Sequence, residues 1–294
     1  MSQTPMPSNQ KVVVTGGEGF IGTHLVRALT KEGYEVEVVD LKSGRDVRDT
    51  ALMRSVCTGA TYVFHLAALP RVQFSIEQPQ ESNDTNIDGT LSVLVAARDA
   101  GVKKVIYSAS SSAYGDTAQM PLRETMPARP MSPYALQKHV GELYCRLFFD
   151  VYALPTVSLR YFNVYGPGAD PHGAYALVIA KFLQQRIEGL PLTITGDGTQ
   201  TRDFTHVYDV VRANILAARS AVGAGEVVNI GAGNNASVKR VAELVGGPVT
   251  HIPARFEPHD SFADNALAKK LFGWSPGVTL EEGVAELKQQ ANLL

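Results

Sequence analysis

The chain has 294 residues, of which 45% are hydrophobic and 19% charged, and its formal net charge is −2 at pH 7. This is the composition of an ordinary globular protein with enough length for one large domain or two unequal ones, and the near-neutral charge argues against nucleic acid or an anionic membrane as the main partner. Two cysteines, a polar start over residues 1–10 and the lack of a long apolar run predict no disulfide framework, no signal peptide and no membrane span, so we expect a cytoplasmic protein.

Short β-branched segments alternate with longer helical patterns through the first 165 residues. The strand candidates, several nearly all apolar, are Lys11–Thr15, Glu35–Val39 and residues 61–66, 103–108 and 156–160. The helix candidates are Phe20–Lys31 and residues 51–56, 83–100 and 133–151. Apolar strands of this kind are covered on both faces, and their alternation with helices predicts an α/β fold. The expected architecture is a Rossmann-type doubly wound parallel sheet with right-handed crossovers.

The first predicted strand runs directly into a glycine-rich loop, and a helix follows. The loop is Gly16-Gly17-Glu18-Gly19-Phe20-Ile21-Gly22. Its glycines allow a tight turn and a close approach of the backbone to a pyrophosphate, whose charge lies at the helix N-terminus. The strand before and the helix after distinguish it from an ordinary glycine-rich turn, and they predict a dinucleotide site.

Asp40 ends the second predicted strand, where a carboxylate can grip the ribose hydroxyls of adenosine. A carboxylate at this position repels a 2′-phosphate, so the sequence favours NAD over NADP, with Lys42 as a weaker opposite signal. Asp46 and Val47 follow unusually soon, which predicts a shortened adenine edge of the sheet.

Tyr134 and Lys138 lie four residues apart on a predicted helix, for which Ser132 is a plausible cap and Pro133 suits the first turn. An ammonium beside a phenol favours the phenolate and lowers the tyrosine pKa from about 10, which would give a base near neutral pH. Alone, the pair fits a half-buried tyrosine with an exposed lysine equally well. The glycine loop in the same chain favours the catalytic interpretation.

Beyond residue 165 the pattern changes. Gly, Pro and Asp cluster at 166–173, a helix follows to about residue 188, and shorter elements then alternate with loops. We expect residues 1–165 to form mainly an NAD-binding domain, which a strand near 226–230 could rejoin. Residues 166–294 are expected to form mainly a smaller C-terminal lobe.

Further motifs occur in a specific order. They are His65-Leu66-Ala67-Ala68, Asn86-Ile87-Asp88-Gly89-Thr90, Ser110-Ser111-Ser112-Ala113-Tyr114-Gly115, Arg160-Tyr161-Phe162-Asn163-Val164-Tyr165-Gly166 and Thr201-Arg202-Asp203-Phe204. Together with the glycine loop and the Tyr-x-x-x-Lys pair, they make the chain after its first ten residues resemble the extended short-chain dehydrogenase/reductases. Within that family the chain is most similar to the nucleotide-sugar 4-epimerases that act on UDP-glucose or UDP-N-acetylglucosamine.

The resemblance implies roles for individual residues. Tyr134 would be the catalytic acid/base, Lys138 would bind the nicotinamide ribose and lower the tyrosine pKa, and Ser110 would hydrogen-bond the reacting sugar hydroxyl. The NAD-binding residues would be Gly16, Gly19, Phe20, Ile21, Gly22, Asp40, Asp46, Val47, Leu66, Ala67, Ala68, Asn86, Ser108, Tyr134, Lys138 and Tyr161. The substrate-binding residues would be Ser110, Tyr134, Asn163, Leu177, Val178, Thr193, Arg202, Arg255 and Ser261. No metal is expected, and the C-terminal lobe would bind the nucleotide sugar.

The implied reaction is NAD-dependent 4-epimerisation of a UDP-hexose through a transient 4-keto sugar. Dehydratases of the family carry an Asp-Glu pair after the catalytic Ser/Thr, and decarboxylases usually keep the Glu, whereas this chain has Ser111 and Ser112. A UDP-glucuronate 4-epimerase or an NAD(P)-dependent nucleotide-sugar reductase remains an alternative. A catalytically silent NAD-binding sensor is disfavoured because Tyr134, Lys138 and Ser110 are all present.

Substrate size depends on a position near the C-terminus. If one glycine is deleted from the family pattern, Arg255 becomes a second diphosphate ligand beside Asn163 and Arg202, and Ser261 occupies the position where a tyrosine excludes N-acetylated sugars. A serine there predicts that UDP-N-acetylglucosamine and UDP-N-acetylgalactosamine are accepted alongside the plain hexoses. Ser261 could instead be a helix cap near Asp264. The resemblance also implies a homodimer through the helices over 83–100 and 133–151.

Overall fold

A computed structural model describes residues 10–171, 178–254 and 259–293. Its strands, β1 to β12 in chain order, are Lys11–Thr15, Glu35–Val39, Tyr62–His65, Lys104–Ser110, Thr156–Tyr161, Val164–Tyr165, Leu192–Thr195, Thr201–Arg202, Thr205–His206, Ala224–Ile230, Ala236–Ser237 and Val249–Ile252. Its α-helices, α1 to α11, are Phe20–Lys31, Thr50–Cys57, Val72–Glu77, Pro79–Asn83, Gly89–Asp99, Pro133–Tyr152, Val178–Ile187, Val207–Arg219, Val238–Val245, Ala266–Phe272 and Leu280–Gln290. A π-helical turn, Asp84–Asp88, joins α4 to α5.

Six parallel strands form the central sheet in the order β10-β5-β4-β3-β1-β2. The chain adds β2 on one side of β1 and then crosses to the other side to add β3. Because the direction of winding reverses there, the carboxyl ends of β1 and β3 border a crevice in which doubly wound sheets bind ligands. The predicted Rossmann-type α/β fold is confirmed, with β1, β2 and α1 observed at their predicted bounds.

Helices cover both faces of the sheet. On one face α1, α8 and α10 bury an apolar core that includes Leu25, Val210 and Trp274. On the other face α2, α5 and α6 bury a second core around Met53, Val93 and Phe148. The sheet is therefore doubly covered, as its apolar strands predict.

The C-terminal part of the chain contributes to two regions, the central sheet and a separate core. Strand β10, which includes the expected returning segment near 226–230, pairs parallel with β5, and α8 and α10 pack on the sheet. Helices α7, α9 and α11 instead surround a separate core with β7, which pairs parallel with β12. The division into two domains at residue 165 stays a prediction.

Helix α6 begins as the sequence predicts. The Ser132 hydroxyl accepts the Ala135 N–H at 3.2 Å, and Pro133 occupies the first turn. The helix predicted over 83–100 differs, because it begins at Pro79 and passes through the π-helical turn. None of the helices in the described ranges is long and apolar enough to cross a membrane.

Candidate active site

The glycine loop lies against the carboxyl end of β3. Gly16 has a φ of +72°, and a Cβ on it would lie 2.7 Å from the Ala67 nitrogen. A Cβ on Gly22 would lie 2.0 Å from the Gly16 carbonyl oxygen. The loop can pack against β3 and the first turn of α1 only because both positions lack a side chain.

The N-terminus of α1 has the chemistry of an anion site. Gly19 is the N-cap residue, no side chain in the described ranges caps this end, and the first turn holds no acidic residue. The first N–H groups of a helix have no partner within the helix, and their partial positive charge favours a phosphate. Phe20, Ile21 and Gly22 begin the helix at this point, as the sequence predicts for a pyrophosphate cradle.

Asp40 is held at the end of β2 by the loop itself. Its carboxylate accepts the Glu18 N–H at 2.9 Å and the Lys42 N–H at 3.0 Å. The Lys42 ammonium donates to the Glu18 carbonyl at 2.8 Å, so its hydrogen bond goes to the main chain of the loop. This arrangement fits a ribose with free hydroxyls, and therefore NAD.

Asp46 and Val47 lie beside the same edge. The Arg48 guanidinium donates to the Asp46 carboxylate, and this hydrogen bond lowers the Asp46 pKa. Val47 is buried and packs closely against Gly89, where a Cβ would lie 2.8 Å from a valine methyl carbon.

A buried histidine fixes the end of β3. His65 Nδ1 lies 2.7 Å from the Thr15 hydroxyl, which accepts the Ala67 N–H at 3.2 Å, and His65 Nε2 lies 2.9 Å from the Thr90 hydroxyl. Burial lowers the His65 pKa to about 3, so the imidazole is neutral. Leu66, Ala67 and Ala68 follow, partly exposed, at the predicted cofactor crevice.

Asn86 is held in place by side-chain hydrogen bonds. Its amide oxygen accepts the Leu69 N–H at 2.7 Å, and its nitrogen donates to the Gln137 side-chain oxygen at 2.8 Å. Asn86 is buried and joins the segment after β3 to α6, and its contact with the cofactor stays a prediction.

Ser110, Tyr134 and Lys138 meet at the carboxyl end of β4. The Ser110 hydroxyl oxygen accepts the Ser112 N–H at 3.2 Å and lies 2.9 Å from the Ser112 hydroxyl, and it is hydrogen-bonded to Tyr134. The Tyr134 N–H donates to the Ser75 hydroxyl at 3.0 Å. Lys138 is buried, and its ammonium donates to the Ser108 carbonyl at 2.8 Å.

The pKa of Tyr134 shifts in the direction opposite to the one predicted. Burial raises the pKa of the phenol, and only the hydrogen bond with Ser110 lowers it. Burial also lowers the Lys138 pKa to about 8, so desolvation disfavours the ammonium form of this residue as well. The expected lowering of the phenol pKa by Lys138 alone is therefore wrong for this structure, because desolvation disfavours both charged groups.

Tyr161 points into the protein. It is buried at the end of β5, and its hydroxyl donates to the Asn214 side chain at 2.9 Å, so its place in a cofactor site stays a prediction.

Three predicted substrate residues, Asn163, Ser261 and Arg202, lie in neighbouring segments. Asn163, with a φ of +29°, donates its side-chain N–H to the Asp203 carbonyl at 3.1 Å and to the Ser261 hydroxyl at 3.2 Å. The Arg202 guanidinium donates to the carbonyls of Thr201 and His259 at 2.9 and 2.8 Å.

Two further predicted substrate residues, Thr193 and Val178, lie in elements that surround the separate core. Thr193 exchanges hydrogen bonds with the Gln185 side chain at 2.9 and 3.0 Å, and Val178 begins α7. Leu177 and Arg255 lie outside the described residues.

Residues 12–231 match the family model described as the NAD dependent epimerase/dehydratase family. The chain belongs to this family. NAD is therefore its cofactor, in agreement with the glycine cradle and Asp40. The chain is 36% identical to the UDP-glucose 4-epimerase of Mycolicibacterium smegmatis, over 94% of this chain and 96% of the relative.

Two solved structures are also similar to this epimerase/dehydratase-family protein. One is the UDP-N-acetylglucosamine 4-epimerase from Methanobrevibacter ruminantium in complex with UDP-N-acetylmuramic acid, with a TM-score of 0.90 and 35% identity over 96% of this chain and 99% of that one. The other is the UDP-glucuronic acid 4-epimerase from Bacillus cereus in complex with UDP-glucuronic acid and NAD, with a TM-score of 0.86 and 32% identity over the same shares. The named sugars differ among these relatives.

Sequence reasoning missed several residues of this family member. It gave Ser112 no part in the site, whereas its hydroxyl lies 2.9 Å from the Ser110 hydroxyl. It gave no role to Gln137, Ser75 or Asp203. Asp203 belongs to the motif Thr201-Arg202-Asp203-Phe204, and that membership was the one signal in the sequence that it matters to the site. In the part of the chain that the structure describes, no group of three His, Cys, Asp or Glu is placed to hold a metal.

Proposed function

We propose that this protein interconverts UDP-N-acetylglucosamine and UDP-N-acetylgalactosamine, and also UDP-glucose and UDP-galactose, by epimerisation at C4 through a transient 4-keto sugar. The observation that carries the proposal is the hydroxyl chain Ser112–Ser110–Tyr134 at the mouth of an NAD cradle. It offers one proton-transfer group to a sugar hydroxyl and no second acid.

Proton transfer falls to Tyr134 and Ser110. The bound NAD supplies a reversible hydride acceptor for C4. Tyr134 would take the proton from the O4 hydroxyl during oxidation and return it during reduction, and Ser110 would donate a hydrogen bond that stabilises the phenolate. Lys138, anchored on the Ser108 carbonyl, would hold the nicotinamide ribose beside them.

Elimination of water is disfavoured for a geometric reason. It needs an acid that protonates the leaving hydroxyl and a base that removes the C5 proton. A serine hydroxyl does neither effectively near neutral pH, and the hydroxyl of Ser112 is already engaged with Ser110. Family dehydratases have the Asp-Glu pair at the positions of Ser111 and Ser112.

The edge of β7 that faces away from β12 is suited to bind a uracil base. The N–H of Leu192 donates to Pro248 and that of Gly196 donates to Ile252, so alternate residues of this strand bond toward β12. The main-chain groups of Thr193 and Thr195 consequently face the opposite edge. There the Thr193 N–H is taken by Gln185, which leaves the Thr193 carbonyl and the Thr195 N–H to match the donor and acceptor of a uracil imide.

The sugar preference rests on Ser261. Its side chain is small, partly exposed and hydrogen-bonded to Asn163, so this wall leaves room for a 2-acetamido group. A tyrosine there would fill that room. We expect Ser261→Tyr to abolish turnover of UDP-N-acetylglucosamine while UDP-glucose turnover persists; loss of both, or of neither, would contradict this assignment.

The test of the function is direct. Purified protein is incubated separately with UDP-N-acetylglucosamine, UDP-glucose and UDP-glucuronic acid, and the products are separated by chromatography while the absorbance of reduced NAD is followed. Conversion of the first two into their galacto epimers without accumulation of reduced NAD supports the proposal. Steady formation of reduced NAD indicates a dehydrogenase, turnover of the uronic acid alone indicates a UDP-glucuronate 4-epimerase, and no turnover indicates an NAD-binding sensor.

We also infer a homodimer through α5 and α6. The outer face of α6 carries large apolar side chains that are about half exposed in the single chain, which are Leu136, Leu143, Leu147 and Val151. Their spacing places them on one side of the helix. Analytical ultracentrifugation should show a dimer for the native protein and a monomer for Leu143→Glu; a monomeric native protein would contradict the inference.

A further inference from the structure

Asp203 makes five hydrogen bonds that tie together separate parts of the chain. Its carboxylate accepts the N–H groups of Ala232 at 2.7 Å, Gly233 at 3.1 Å and Ala263 at 3.0 Å. Its main chain bonds the two predicted substrate residues. The Asp203 carbonyl accepts from the Asn163 amide at 3.1 Å, and the Asp203 N–H donates to the Ser261 hydroxyl at 3.3 Å.

The carboxylate is fully buried and has no cationic partner among the described residues. Burial raises its pKa to about 7, and the three N–H groups act in the opposite direction. A carboxylate in this setting is expensive to bury, so its stability depends on those three donors staying in place. The segments that supply them are therefore held at fixed distances from Asp203.

The packing leaves this carboxylate no room to move. A Cβ on Gly231 would lie 2.3 Å from the Ala263 Cβ and 2.9 Å from an Asp203 carboxylate oxygen. The glycine thus lets the segment after β10 approach both residues. Asp203 bonds both the Ala263 N–H and the Ser261 hydroxyl, so these two groups are held at fixed positions relative to each other.

We propose that Asp203 is a positioning residue that sets the spacing of Asn163 and Ser261 and thereby tunes the sugar preference of the site. The inference rests on the proposed function, because it takes Asn163 as a diphosphate ligand and Ser261 as the wall facing the 2-substituent of the sugar. Because Asp203 is fully buried, it acts through the two residues it holds.

The experiment compares Asp203→Asn with a matched variant, Asp209→Asn. Asp209 is also a buried carboxylate, and it accepts the N–H groups of Gly277 and Val278 at 2.9 to 3.0 Å and the Arg212 guanidinium at 2.6 Å, but no hydrogen bond among the described residues joins it to Asn163 or Ser261. In each variant an amide NH2 replaces a carboxylate oxygen that accepts hydrogen bonds, so both variants should have a lower Tm than the native protein. The measured quantity is the ratio of kcat/KM for UDP-N-acetylglucosamine to that for UDP-glucose.

In Asp203→Asn we expect KM to rise about tenfold for the N-acetylated sugar, and less for UDP-glucose, because one buried donor loses its acceptor and the wall loosens. The ratio should fall several-fold, kcat should change little, and Asp209→Asn should keep the native ratio. Equal ratios in the two variants would overturn the positioning role.

Gly231→Ala provides a second route that keeps every charge. The added methyl group displaces the carboxylate and Ala263, so the ratio should fall in the same direction; an unchanged ratio would again count against the proposal. If the native protein turns over neither sugar, the proposed function fails, and the same comparison made with dissociation constants still tests Asp203.

Discussion

At the scale of single residues, the orientation of one hydroxyl decides what Tyr134 can do. The Ser110 oxygen has two acceptor sites, and the Ser112 N–H at 3.2 Å and the Ser112 hydroxyl at 2.9 Å occupy both. The Ser110 proton is therefore left free to be donated to the Tyr134 oxygen. A hydroxyl that can only donate stabilises the phenolate form of its partner, which is the form that a base needs.

Removal of the Ser112 hydroxyl tests this orientation. Ser112→Ala frees one acceptor site on Ser110, so the Ser110 proton can turn away from Tyr134. We expect kcat to fall about fivefold, corresponding to one hydrogen bond of about 1 kcal/mol, with KM unchanged. Steady-state kinetics should show no comparable effect for Ser111→Ala, and identical values for the two variants would contradict the account.

His65 makes stability depend on pH in a defined direction. Its pKa is lowered to about 3 in the folded protein from an ordinary value of 6.5, so between these values the unfolded chain binds a proton that the folded chain does not. The contribution of His65 to stability is present above pH 6.5 and is lost as the pH falls toward 3.

Urea unfolding at several pH values between 4.5 and 7, each ~0.5 apart, measures this contribution. Below pH 6 the free energy of unfolding should fall by up to about 1.4 kcal/mol per pH unit more in the native protein than in His65→Asn. Parallel pH profiles for the two proteins would show that His65 is not buried in its neutral form.

At the scale of elements, the sequence predicts most where one local rule suffices. The bounds of β1, β2 and α1 follow from apolar runs and from the glycine loop between them. The start of α6 follows from Ser132 and Pro133. These signals are local, since each depends on residues within one turn or strand.

Elements held by distant contacts were not predictable in the same way. The π-helical turn Asp84–Asp88 is stabilised by the bonds of Asn86 to Leu69 and Gln137, which lie 17 and 51 residues away. The pKa of Lys138 depends on its burial under β4, which helical spacing does not reveal. The direction predicted for the Tyr134 pKa was wrong because desolvation of the phenol itself raises it, which helical spacing does not reveal either.

Helix α6 carries the reacting pair because it is fixed to the sheet at two points. Glu142 forms a bidentate pair with Arg160 of β5 at 2.7 and 2.8 Å, and both side chains are buried. A Cβ on Gly141 would lie 2.2 Å from the Tyr107 hydroxyl of β4. The catalytic side chains are thus placed relative to the strand ends that border the crevice.

The first turn of α1 provides a test at this scale. In Gly22→Ala the new Cβ meets the Gly16 carbonyl, so the loop must open and NAD affinity should fall at least about tenfold. NAD binding followed by calorimetry gives the value. Gly33→Ala, where a Cβ meets nothing, should lose stability through its φ of +88° while keeping NAD affinity; native affinity in Gly22→Ala would contradict the cradle.

At the scale of the whole molecule, the C-terminal part of the chain passes back and forth between the first sheet and a separate core. Strand β10 and helices α8 and α10 return to the first sheet, while α7, α9 and α11 build the separate core that carries β7. Asn163, Arg202 and Ser261 lie in segments between these two regions. Arg202 lies in the two-residue strand β8, and Asn163 and Ser261 lie outside the strands and helices. Segments this short show no periodicity, which is why sequence motifs located the residues and pattern analysis did not.

The central claim is that oxidation occurs at C4 and is reversed there. A UDP-N-acetylglucosamine labelled with deuterium at C4 tests it most directly, with product analysis by NMR and mass spectrometry after partial conversion. We predict that the galacto epimer keeps the deuterium at C4, that turnover is slower than with the unlabelled sugar, and that Tyr134→Phe lowers kcat by about 10²- to 10⁴-fold while NAD stays bound. Exchange of the label into water, or epimerisation at native rate in Tyr134→Phe, would contradict the account.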